Sequence, residues 1–283
     1  MCDSDINRRA FTTASIAAGM AIIAANVARA QDAGVTESDV LINTPDGMTD
    51  AALYTPKGKG PFPGVLIFTD IFGLRPASRA VGRRLATEGY VAVVANPFYR
   101  TKKGPVMEPA VQATFNFAKD AGMLQPHLVV LTPEATTRDE LAWLAYLDSL
   151  PQVSKKAKLG VDGYCMGGPR VVQASALRPD RVGASFTAHP GNGLVTDKPD
   201  SPHLLAPKIK AKSYFAIAQN DAMQKPMIPD QLKAAYAAAG NPCGAEVFHA
   251  DHGWTMPDSA VYNKGEAERA WVQRLALYKS ALV

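Results

Sequence analysis

The stretch LGVDGYCMGGPRVVQ, residues 159–173, decides the fold. Its first half is an apolar run, and its second half sets Val171 and Val172 in a helical pattern behind Gly167 and Gly168. A strand that gives way so quickly to a helix must turn sharply, and Cys165 sits on the turn. Glycines on either side let the helix pack close to the strand and let a strained turn form, and the side chain between them is pushed outward. An exposed thiol presented in this way suits a nucleophile. The helix that follows adds the positive end of its dipole, which favours a thiolate.

Outward from this elbow, strands alternate with helices. Short leading strands are expected at 40–42 and 51–54 around the turn TPDG. Further strands start at Gly64 (GVLIFT), Tyr90 (YVAVVA), Ala157 (AKLGVDG), Val182 (VGASFTA), Lys212 (KSYFAIA) and Ala245 (AEVFHA). Several are near-continuous apolar runs, as strands covered on both faces must be. Helical patterns occupy 76–87, 133–148, 166–177, 229–239 and 262–282. The expected architecture is one α/β domain over 31–283, a mainly parallel eight-stranded sheet with helices on both faces.

Residues 1–30 read as an export signal. Arg8 and Arg9 precede a weakly apolar run at 11–27, and Ala28, Arg29 and Ala30 close it in a small-x-small cleavage pattern. The paired arginines resemble the signal that carries folded proteins across a bacterial inner membrane, which implies a periplasmic protein. Removal at Gln31 takes three basic and two acidic residues, so the formal charge falls from +4 to +3. That charge is spread along the chain, which argues against nucleic acid as a partner. No other stretch is long and apolar enough to span a bilayer, so no stable membrane association is expected after processing, and a monomer is expected. Cys2 leaves with the signal. A disulfide between Cys165 and Cys243 would quench the presented thiol, so Cys243 is read as a small buried residue.

In an open parallel sheet the chemistry gathers at the carboxyl ends of the strands. Here those ends carry TDIFG, NPFYR, Cys165, QND and HADHGW. Cys165, Asp221 and His252 follow one another as nucleophile, acid and histidine, the chain order of an α/β-hydrolase triad. His189, in AHPGNG, precedes Asp221 and breaks that order, so it is expected to pack near the pocket floor or rim.

DIFG at Asp70, GYCMGG at Gly163, ND at Asn220 and HGW at His252 together resemble the dienelactone hydrolase family, with a shared layout from about residue 35 to the end of the chain. The resemblance implies an α/β-hydrolase fold in which Cys165 is the nucleophile, His252 the base and acid, and Asp221 its orienting partner. It also implies substrate-binding or gating roles for Asp70, Arg100, Trp254 and position 256. Two positions depart from the family: Asp70 stands where a glutamate is typical, and Met256 where a second arginine is expected. A tetrahedral oxyanion needs fixed donors, and the backbone N–H groups of Ile71 and Met166 are the expected pair.

The expected substrate is a small ester or lactone, with no metal and no cofactor. Thioesterase or broad carboxylesterase activity would use the same chemistry. A glutamine amidotransferase also places a cysteine on a glycine elbow, but there a glutamine stands two residues after the second glycine and an acid follows the His-Pro pair, and this sequence has neither at those positions. A noncatalytic periplasmic binding protein would need no aligned triad.

Overall fold

The computed structural model describes residues 34–282, and the export signal expected at 1–30 lies outside them. The chain opens with an antiparallel hairpin, β1 (Val35–Thr44) and β2 (Gly47–Pro56), in register from Val35 opposite Pro56 to Thr44 opposite Gly47. Both strands are longer than the apolar patterns at 40–42 and 51–54. Most of β1 is solvent-exposed, with only Val35, Ile42 and Thr44 buried, so its outer residues carry no hydrophobic signature.

Six parallel strands follow: β3 (Gly64–Phe68), β4 (Val91–Ala95), β5 (Leu159–Tyr164), β6 (Val182–Ala188), β7 (Lys212–Ala218) and β8 (Gly244–Phe248). The sheet order is β1-β2-β4-β3-β5-β6-β7-β8, with β2 antiparallel to β4. From β3 the chain adds β4 on one side and β5 on the other, so the order reverses between β3 and β5. A crevice forms outside the carboxyl ends at such a reversal, which is where an α/β sheet binds its ligand.

Alternate residues of each buried strand enter opposite cores. Leu66, Val93 and Val161 point to one face, beneath α2 (Pro133–Ser149), α3 (Gly167–Leu177) and α4 (Ile228–Ala238). Val65, Val94 and Phe186 point to the other, beneath α1 (Pro76–Thr87) and α5 (Lys264–Ala281). Between β4 and α2 the chain makes short helical turns at Pro109–Ala113, Phe117–Asp120 and Gln125–Leu128. This excursion supplies walls to cavities on either side of the elbow.

Candidate active site

Cys165 lies between β5 and α3 with φ at 52°, the left-handed region that a non-glycine residue enters at a cost of about 1–3 kcal/mol. Two backbone bonds hold it there. Its N–H donates to the Ala188 carbonyl at 3.2 Å, and its own carbonyl accepts from Gly168 N–H at 2.9 Å. The flanking glycines are required by contact distances: a Cβ at Gly163 would stand 2.5 Å from the Gly167 carbonyl oxygen, and one at Gly167 would stand 2.5 Å from that of Phe68. The elbow is therefore seated against the end of β3, which carries Ile71 just beyond it. Neither Ile71 N–H nor Met166 N–H has an acceptor among the described residues.

Asp221 is buried in a short helix, Gln219–Gln224, directly after β7, and His252 follows β8. The two strands are neighbours, which brings the side chains together. His252 Nδ1–H donates to Asp221 Oδ2 at 2.8 Å, and Asn220 Oδ1 accepts from His252 N–H at 2.9 Å. The imidazole is thus fixed from both its ring and its backbone. Burial pushes its pKa down, but hydrogen bonds to Asp221 and Cys165 outweigh this, and it is pushed up to about 10.

Cys165 and His252 open on a cavity of about 320 Å³ that is also lined by Asp70, Ile71, His189 and Met256. The Asp70 carboxylate is held by a two-point bridge from Arg75, at 2.6 and 2.8 Å, and accepts from Phe72 N–H at 2.9 Å. Arg75 also donates to Asp258 at 2.7 and 3.0 Å, and Gln112 closes the chain by donating to Asp258 at 2.9 Å. The arginine in this cavity, Arg75, is therefore already bound by two carboxylates.

Arg100 is not brought to this cavity. Its guanidinium is spent on Asp139, at 2.8 Å from each carboxylate oxygen, and on Asp46 at 2.6 Å. Trp254 does not line the cavity either. It is fully buried, stacks on Phe248 and meets the edge of the His189 ring, so it acts as packing behind the wall. His189 is buried in that wall, with φ at 40° and its ring 5.1 Å from the His252 ring. Its Nε2 bonds Thr255 Oγ1 at 2.7 Å, and burial, with the neighbouring His252 charge, holds it well below the usual histidine range. It is a neutral support rather than a rival base. Cys243 is a free thiol that burial pushes up to about 11.

Arg75 and Asp258 were missed by sequence reasoning because neither sits in a motif. The one available signal for Arg75 was its place five residues after Asp70, on the loop that leaves β3.

The profile of the dienelactone hydrolase family matches residues 49–282. A candidate carboxymethylenebutenolidase of Azospirillum brasilense is 33% identical over 242 residues, covering 84% of this chain and 95% of that protein. One of Methylorubrum extorquens is 27% identical over 277 residues, covering 94% and 90%. Among solved structures, a dienelactone hydrolase-like promiscuous phosphotriesterase from metagenomic libraries superposes with a TM-score of 0.69 at 19% identity, over 88% of this chain and all of that one.

Proposed function

Because the chain belongs to the dienelactone hydrolase family and has its α/β-hydrolase fold, we propose that it cleaves a small uncharged ester or lactone through an acyl-cysteine intermediate. The observation that carries this reading is the strained elbow cysteine sharing one cavity with a histidine that is itself bonded to a buried aspartate.

In the proposed reaction the raised pKa of His252 favours an imidazolium that already holds the thiol proton on Nε2, and Sγ bonds to the substrate carbonyl carbon. The carbonyl electron pair moves onto oxygen, where the N–H groups of Ile71 and Met166 receive it. Collapse restores the carbonyl and breaks the bond to the leaving oxygen, which takes the proton from His252. In a lactone that oxygen stays attached through the ring. Water then gives a proton to His252 and attacks the acyl carbon, and the second collapse releases the acid and the cysteine sulfur. Asp221 keeps the imidazole in the tautomer this sequence needs and stabilises the imidazolium.

The preference for an uncharged substrate follows from the charges in the cavity. Arg75 faces both Asp70 and Asp258, and Met256 adds an apolar surface, so among the described residues the cavity offers no unpaired cation to a substrate carboxylate. A panel of enol-lactones, aryl esters and thioesters assayed with the native chain and with Cys165→Ala tests the reading. Turnover that is confined to the native chain is expected, and thioesters favoured over oxygen esters would make it a thioesterase. We also infer export through residues 1–30: protein recovered from the periplasm should begin near Gln31, and intact precursor in the membrane fraction would contradict this.

A further inference from the structure

A second cavity, of about 240 Å³, lies on the other side of the elbow. It shares no lining residue with the Cys165 cavity, and Met166 and Gly167 form part of its wall. Glu140, on α2, is buried in that wall, and neither oxygen of its carboxyl has a hydrogen-bond partner among the described residues. Arg170 Nη1 stands 3.6 Å from Oε1, too far for a hydrogen bond, and is engaged instead by Thr136 and Gln173. The hydroxyl of Thr69, at the end of β3, lines the same cavity and is likewise buried without a partner. The rest of the lining is largely apolar, with Phe68, Trp143, Leu128 and Leu131 among its residues.

Two residues with orphaned polar groups line one largely apolar space, and each leaves desolvation uncompensated until a ligand supplies hydrogen bonds. We propose that this cavity is a binding site for a small apolar alcohol, whose hydroxyl donates to and accepts from the Glu140 carboxyl and the Thr69 hydroxyl.

Charge selects this class over its neighbours. Burial pushes the Glu140 carboxyl well above the ordinary range, against the opposing pull of Arg170, which favours the protonated form with one donor and one acceptor. An anion would meet that carboxyl and the Asp139 carboxylate in the same wall. A cation would have to draw the proton from Glu140 and then stand beside Arg170. An uncharged hydroxyl satisfies both orphaned groups without moving a proton, while its hydrocarbon body meets Trp143 and Phe68.

The test is calorimetric titration of the full chain, first alkylated at Cys165 with iodoacetamide so that the catalytic cavity is blocked. Benzyl alcohol, toluene, benzylamine and benzoate serve as probes of one shape and different end groups. Benzyl alcohol should bind at least about tenfold more tightly than the other three, the factor that one or two hydrogen bonds give. Glu140→Leu should remove that advantage over toluene. Glu140→Gln, which keeps a donor and an acceptor, should retain benzyl alcohol binding within about threefold, a difference below one hydrogen bond. Equal affinity for toluene, tighter binding of benzylamine or benzoate, no binding at all, or an advantage that survives Glu140→Leu would overturn the proposal. Because the thiol is blocked throughout, none of these results depends on the hydrolytic mechanism.

Discussion

Removal of the Cys165 thiol should separate chemistry from folding. Cys165→Ala should abolish ester hydrolysis while the thermal midpoint stays within a few degrees of the native chain, because a half-buried thiol on a turn contributes little packing. His252→Ala should lower kcat/KM by about three or more orders of magnitude, since base and leaving-group acid are lost together. The raised pKa of His252 also sets a pH dependence of stability. A histidine raised from 6.5 to about 10 stabilises the fold fully below pH 6.5 and loses that contribution as pH climbs to about 10. Asp221→Asn removes the bond that helps raise it. The gap in melting temperature between native chain and variant should therefore be widest near pH 6 and narrow by pH 10, and a gap that stays constant would refute the linkage. Cys165, Asp221 and His252 were legible because each follows a recognisable strand in the expected order. Arg75 was not legible, because Asp258, the partner that completes its role, lies 183 residues away.

At the scale of elements, the elbow depends on β5 and α3 approaching the end of β3. β3 is paired on both sides, to β4 and β5, so it cannot yield to a new atom. Gly167→Ala puts a Cβ against the backbone oxygens of Phe68 and Thr69 at 2.5 and 2.8 Å. The expected loss is about 1–3 kcal/mol, the usual cost of overpacking, read from the urea midpoint. A second constraint holds β5 from the opposite face. Asp162 is fully buried and pairs with Arg274 of α5 at 2.5 Å, and Tyr164 bonds the same carboxylate at 3.1 Å. Arg274→Met should cost about 3–5 kcal/mol by stranding that carboxylate, and adding Asp162→Leu should restore much of it. A double variant no more stable than Arg274→Met would contradict this. The helices and parallel strands were readable because burial on both faces writes itself into continuous apolar runs. The outer residues of β1 were not, because exposure leaves them free of any such pattern.

At the scale of the whole molecule, the order reversal between β3 and β5 places the thiol, the histidine and the Asp70–Arg75–Asp258 chain around one crevice. Its charges predict selectivity. For a matched pair of ester substrates differing only in a free carboxylate or its methyl ester, the native chain should favour the uncharged member in kcat/KM. Met256→Arg should shift preference towards the acid by about 1.5–3 kcal/mol if its guanidinium reaches the carboxylate, the range for a hydrogen bond to a charged group. A native chain that strongly prefers the acid, and is unmoved by the substitution, would mean that Arg75 is released from its aspartates to bind substrate. The walls that shape this choice come largely from loops, including the excursion between β4 and α2, whose form no local pattern reveals. A covalent acyl-cysteine is read by peptide mass mapping after rapid acid quench. With an activated aryl ester that acylates faster than it hydrolyses, one acyl increment per chain is expected, confined to the peptide that contains Cys165 and absent from Cys165→Ala. Full turnover by Cys165→Ala, with no increment on any cysteine of the native chain, would contradict it.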